Sequence, residues 1–172
     1  AYVGFGGARE QIAVPADALV PIPDGVSDTA AAGVAITYGT AIHGLKDRGH
    51  VPPRQTVAVL GAAGGAGLAA VGIAQLMGAH VVAVASSEEK LSVCKAHGAD
   101  TLLNYADTDL KSALRALNGG AGVDVVYDCV GGDSSEAALR AMAWEGRFLV
   151  VGFASGEIPK VPLNLLLLRG AD

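Results

Sequence analysis

Thr56-Val57-Ala58-Val59-Leu60-Gly61-Ala62-Ala63-Gly64-Gly65-Ala66-Gly67 is the stretch on which the fold turns. A five-residue hydrophobic run breaks into a turn built from glycine and alanine alone. A helix-like segment follows as far as Gly78. A second apolar run, His80 to Ala85, ends in Ser86-Ser87. Strand, glycine turn, helix and strand make the βαβ unit that sets a dinucleotide pyrophosphate on a helix N-terminus. The glycines have mechanical work: one makes the tight turn, one admits the phosphates to the backbone, and one lets the helix pack closely on the strand. The alternative is a glycine-rich turn in an α/β domain that binds nothing. The strand before the turn, and the helix and strand after it, favour the dinucleotide.

The rest of the composition agrees with that unit. The chain has 172 residues, enough for one ordinary domain. It is 51% hydrophobic and 17% charged, with few aromatics, which suits a parallel sheet buried on both faces. No apolar stretch is long enough to span a bilayer; Leu163 to Leu168, interrupted by Asn164, is the densest. A net charge of −5 with no basic cluster argues against nucleic acid as a partner. Cys94 and Cys129 have no metal-type spacing and fall on separate elements, so reduced thiols in a cytoplasmic protein are expected. His43, His50, His80 and His97 have no metal-type spacing either. No Ser/His/Asp or Cys/His constellation supports hydrolysis. No signal peptide is visible, yet the first residue is Ala1, which suggests a fragment or a processed chain.

Phe5 to Pro23 reads as extended, with Pro15, Pro21 and Pro23 suiting irregular or edge strands. Ser27 or Asp28 should cap a helix from about Thr29 towards Lys46, with Ala31, Val34, Ala35, Tyr38, Ala41, Ile42 and Leu45 at helical spacing. From Thr56 the chain alternates. Strands are expected at Thr56–Leu60, His80–Ala85, Thr101–Asn104, Val123–Asp128 and Arg147–Val151. Helices are expected at about Gly65–Met77, Glu88–His97, Asp109–Leu117 and Ser134–Ala143. Ser87 should cap the second of these, and Asp133 to Glu136 has the spacing of a capping box. The alternation predicts a doubly wound α/β fold with a parallel sheet and right-handed crossovers. Such a domain normally has six strands. Five are visible here, and the sequence ends at Asp172, where a sixth should begin.

Ligands of such a sheet lie outside the carboxyl ends of the strands. Strand one delivers Gly64 to Gly67, and strand two delivers Ser86, Ser87 and, one helical turn later, Lys90. An NAD-preferring domain places Asp or Glu at the end of strand two. Ser86 stands there, so nothing repels a 2′-phosphate, and Lys90 could attract one. Lys90 could equally be a solvated lysine paired with Glu88 or Glu89. The missing acid and the lysine together favour NADP. Tyr105 could contact the adenosine end or simply cap the sheet. The glycine breaks at Val130-Gly131-Gly132 and Gly152-Phe153-Ala154 lie where an extended cofactor would pass, though turn chemistry also explains glycine. Asp128, with no His or nucleophile beside it, reads as structural.

Gly61 to Gln75, Met77-Gly-Ala, Ser87-Glu-Glu-Lys, Gly98-Ala-Asp, Asn104-Tyr105, Gly122 to Asp128, Val130-Gly-Gly-Asp and Gly146 to Gly156 closely resemble the zinc-free medium-chain dehydrogenases/reductases. The group most similar is the NADPH:quinone oxidoreductases, which are like zeta-crystallin. Val14-Pro-Ala-Asp17 and Ile36 to Ala41 extend the resemblance upstream, so it covers nearly the whole chain.

The resemblance implies that Gly64, Gly65, Ala66 and Gly67 meet the pyrophosphate. It implies that Ser86, Lys90 and Tyr105 contact the 2′-phosphate and adenosine ribose, and that Val130, Gly152, Phe153 and Ala154 lie along the ribose and nicotinamide. Thr37 falls near the nicotinamide end. Gly33 stands about where zinc-dependent relatives carry a cysteine ligand, so no metal is implied. Residues 1–24 match the tail of a GroES-like catalytic domain and 25–172 a dinucleotide-binding domain. The implied activity is hydride transfer from NADPH to a quinone or an activated alkene. The competing reading is a cofactor-binding module without turnover, since most of the catalytic domain is absent from the sequence. Family dimers pair edge strands of this domain, so a homodimer is implied for the full-length protein.

Overall fold

β1 (Thr56–Leu60) is buried at every position, as a central strand of a parallel sheet must be. The computed structural model describes residues 6–172; the sequence expectations for residues 1–5 lie outside the described residues. β2 (His80–Ala85), β3 (Thr101–Asn104), β4 (Val123–Asp128) and β5 (Met142–Val150) join β1 in one sheet of order β3-β2-β1-β4-β5. All four pairings are parallel. The order reverses at β1, the switch point at which such sheets place ligands.

Alternate side chains of the sheet feed two cores. Val57, Val59, Val81, Ala83, Val125 and Tyr127 face one layer, covered by α2 (Gly65–Leu76) and α3 (Glu88–Ala96) through Ala69, Ala70, Ala74, Leu91 and Cys94. Ala58, Leu60, Val82, Val84 and Val126 face the other, covered by α4 (Leu110–Arg115), α5 (Asp133–Arg140) and α6 (Asn164–Arg169) through Leu110, Leu114, Ala138, Leu139 and Leu165. The fold is the doubly wound one expected.

Three local features depart from the sequence reading. α1 (Asp28–Ile42) starts where expected, with the Ser27 hydroxyl accepting from Ala30 N at 3.2 Å, but it continues as a π-helical turn, His43–Arg48. Only Ala41 and Leu45 of its expected apolar face are fully buried; Val34, Tyr38 and Ile42 are exposed. β5 begins at Met142 rather than Arg147, because the chain pairs with Val123 across a bulge and α5 stops early, at Arg140. The expected capping box does not form: Gly132 is the N-cap of α5, and the Ser135 hydroxyl donates instead to Asp128. Among the described residues no strand precedes Thr56, and the proline-rich segment carries a single 3₁₀ turn, Ala16–Ala18. At the other end Asp172 accepts from Phe148 N (2.8 Å) and donates to Gly146 O (3.2 Å).

Tyr127 is wholly buried on the first face. Its ring lies so close to Gly44 that a Cβ there would come within 2.9 Å of Cε2. Its hydroxyl has no hydrogen-bond partner among the described residues. Burial, helped by Cys129 nearby, pushes its pKa up to about 12, so the phenol stays protonated. A buried hydroxyl left without a partner costs about 1–3 kcal/mol. Tyr127→Phe should therefore raise stability by about 1 kcal/mol, read from the urea midpoint. A lowered midpoint would show that the hydroxyl is hydrogen-bonded in solution.

Candidate functional site

The glycine turn leaves β1 through Gly61, whose φ of +72° is accessible at little cost only without a side chain. Gly61 N and Ala62 N both donate to Val84 O, at 3.1 and 3.2 Å, which ties the turn to β2. Gly64 then serves as the N-cap of α2, with Leu68 N donating to its carbonyl at 2.7 Å. α1, α3 and α4 each begin with a side chain, from Ser27, Ser87 or Asp109, that accepts a backbone N–H. α2 has no such cap. Its first amides, those of Gly65, Ala66 and Gly67, have no partner within the helix. A bare helix start with the positive end of the dipole behind it suits an anion.

Ser86 closes β2, and Ser87 caps α3 by accepting from Lys90 N at 3.4 Å. One turn on, Lys90 Nζ donates to Ser86 Oγ at 2.8 Å. The ion pairs formed among the described residues do not include Lys90 with Glu88 or Glu89; Glu88 instead accepts from Asn104 Nδ2 at 3.3 Å. The lysine is thus turned towards the end of β2 and away from the acids beside it in sequence.

These groups share one cavity of about 270 Å³. Gly61, Ala63 and Gly64 line it from the turn, Ala85 and Ser86 from β2, Lys90 from α3, Tyr105 from the segment after β3, and Ala154 from the loop after β5. The structure thus brings Gly64, Ser86, Lys90, Tyr105 and Ala154 together. It sets Ala154 beside the residues expected at the adenosine end, a longer reach than the sequence suggested. Gly61, Ala63 and Ala85 also line the cavity. They lack polar side chains, so only their place in the turn and at the strand end could have marked them.

The other expected residues do not line this cavity. Thr37, on α1, approaches Gly65, where a Cβ would lie 3.7 Å from its methyl carbon; its hydroxyl donates to Gly33 O at 2.7 Å. Ala66 follows in the first turn of α2. Gly67 is buried under the turn, where a Cβ would meet the Gly61 carbonyl and Ala62 backbone. Val130 lies over Gly61, Phe153 lies against Gly131, and Gly152 N donates to Asp128 O at 3.1 Å. A larger cavity, about 510 Å³, runs along the free edge of β5 beside His43, Arg48 and Arg147. None of the expected site residues lines it.

Asp128 is buried and structural, as its sequence context implied. Its carboxylate accepts from Val130 N (2.8 Å), Gly131 N (3.0 Å) and the Ser135 hydroxyl. Burial, and then the Asp128 carboxylate, pushes the Cys129 thiol up to about 11, so it remains a thiol at neutral pH and is no nucleophile. Among the described residues no group of three His, Cys, Asp or Glu side chains could hold a metal ion, and no helix is long and apolar enough to cross a membrane.

Residues 65–172 match the family model described as zinc-binding dehydrogenase. The chain is 45% identical over 170 residues to quinone oxidoreductase-like protein 2 of Bos taurus, covering 98% of this chain and 49% of that protein. It is 43% identical over 168 residues to the homologue of that protein in Nematostella vectensis, covering 97% of this chain and 46% of the relative. The chain thus spans about half the length of the curated relatives it matches. Among solved structures, the quinone oxidoreductase of Thermus thermophilus, described with its NADPH complex, superimposes with a TM-score of 0.84 at 37% identity. That match covers 98% of this chain and 53% of the other.

Proposed function

Since the chain belongs to the zinc-binding dehydrogenase family, in its zinc-free quinone oxidoreductase-like group, we propose that it is the NADPH-binding portion of an oxidoreductase that reduces a quinone or an activated alkene. One observation carries the cofactor reading. The bare start of α2 and the Ser86–Lys90 pair open onto a single cavity with no carboxylate at the end of β2.

The residues present fit the cofactor. The amides of Gly65 and Ala66 would hold the pyrophosphate, with the turn at Gly61–Gly64 giving the backbone its approach. Ser86 Oγ and Lys90 Nζ would hold the 2′-phosphate, and Tyr105 would wall the adenosine. Val130, Gly152, Phe153 and Thr37 border the path towards the nicotinamide end. NADPH, when bound, supplies a hydride at its nicotinamide C4. The contribution of this chain is to place that carbon and to shut water away from it. Residues 25–172 form the cofactor unit in this reading, and the tail before them belongs to a catalytic domain.

A second reading is a module that binds the cofactor without turning it over. Fluorescence titration with NADPH and NADH, followed by a quinone-reduction assay, separates the two. Tighter binding of NADPH with quinone reduction supports the enzyme. Binding without turnover supports the module. Absence of binding to either cofactor overturns both.

A further inference from the structure

We propose that Asp128 and Ser135 are positioning residues: a buried carboxylate–hydroxyl clamp that fixes the β4 loop and, through it, the β5 loop that carries Ala154 to the cavity. The inference rests on the cofactor reading above. Asp128 is 2% exposed and Ser135 1%. Among the ion pairs of the described residues the Asp128 carboxylate has no cation. A buried carboxylate without a cation must be held by hydrogen-bond donors. Here the donors are two consecutive loop amides, Val130 N and Gly131 N on Oδ1, and the Ser135 hydroxyl on Oδ2. The carboxylate therefore ties the loop at one end to the strand and at the other to the first turn of α5.

The loop it holds is the template for the next. Asp128 O accepts from Val151 N (2.9 Å) and Gly152 N (3.1 Å), Cys129 O from Ala154 N (3.1 Å), and Val130 O from Ser155 N (2.9 Å). Gly132 N donates back to Glu157 O at 3.1 Å. Every residue from Asp128 to Val130 thus carries part of the β5 loop on its carbonyl. Gly131 and Gly132 both have positive φ, which glycine reaches at little cost but which leaves the loop many other paths, so the bonds to Asp128 select the one observed. Moving Val130 changes what packs against Gly61, and moving Ala154 changes the cavity lining itself. One buried carboxylate thus holds the loop on which a lining residue of the site depends.

The test compares Asp128→Ala, Ser135→Ala and Asp128→Asn in the full chain. The asparagine keeps an acceptor for the two amides and can donate to the Ser135 oxygen. Amide hydrogen exchange is read without cofactor and NADPH affinity by fluorescence. Asp128→Ala should speed exchange at residues 130–131 and 151–155 while the β1 and β2 amides stay protected. It should weaken NADPH by about tenfold, the size of one lost hydrogen bond to a charged group. Ser135→Ala should show the same pattern more weakly, which serves if Asp128→Ala does not fold. Asp128→Asn should recover most of both readouts, which a purely bulk loss of stability would not predict. Unchanged exchange at 151–155 in both alanine variants overturns the clamp. A wild-type chain that binds NADPH alongside variants that bind it equally well overturns the positioning role alone. A wild-type chain that binds none overturns the cofactor reading and the role together.

Discussion

Gly67→Ala should cost about 3 kcal/mol or more and lower the urea midpoint sharply. The added Cβ would lie 2.8 Å from Ala62 Cα and 2.9 Å from Ala62 C, and closer still to the Gly61 carbonyl oxygen. All three are backbone atoms of the tight turn, and none can swing aside as a side chain could. The turn cannot retreat, because Gly61 N and Ala62 N are tied to Val84 O. The alternative is to lift α2 off the sheet. That would uncover parts of Ala69, Ala70, Val71 and Ala74, all of them buried. Gly72, on the same helix, is the control. A Cβ there meets nothing within 4 Å, so Gly72→Ala should stabilise by about 0.5–1 kcal/mol through helix propensity. Urea denaturation followed by circular dichroism reads both. A Gly67→Ala variant within about 1 kcal/mol of wild type would mean that the turn and helix are not packed as described.

This contrast also shows what a sequence can and cannot reveal. That one glycine of the turn must serve helix–strand packing follows from the βαβ pattern; that it is Gly67 and not Gly65 follows only from distances. β1 to β4 were legible to the residue because short apolar runs end there in glycine, serine, asparagine or aspartate. β5 was not, because its start depends on a bulge opposite Val123 that no periodicity announces. Gly44, in the π turn after α1, lies against the ring of Tyr127, more than eighty positions away in sequence, a contact that no local pattern announces. In the candidate site, Ser86 and Lys90 could be paired from sequence because they are four residues apart at a strand-to-helix junction. Ala154 could not be placed among them, since its position is inherited from carbonyls of the β4 loop. The bond from the Ser135 hydroxyl to Asp128, seven residues earlier, was not legible either, since nothing local marks a serine inside a helix as the donor to a buried carboxylate.

Lys90→Glu should weaken NADPH by about 1–3 kcal/mol, roughly five- to 150-fold, while NADH changes by less than about threefold. The two cofactors differ only at the adenosine 2′ position, so a side chain that reads that phosphate must separate them. Lys90 is exposed, so solvent screens the interaction, and the loss should shrink as salt is raised. The substitution does more than remove a cation. It places a third carboxylate beside Glu88 and Glu89 at the mouth of the cavity, where no acid stands at the end of β2. Misfolding cannot mimic the result. Ser87 is the N-cap of α3, and glutamate at position 90 completes the reciprocal Ser-x-x-Glu capping box, while Ser87 Oγ still accepts the backbone N–H of residue 90. Stability should therefore hold or rise slightly as NADPH affinity falls. Parallel titrations with the two cofactors, at two salt concentrations and beside a urea curve, give all three readings. Equal losses for NADPH and NADH would mean that the lysine serves the helix and not the phosphate, and the assignment of NADP over NAD would fall with it.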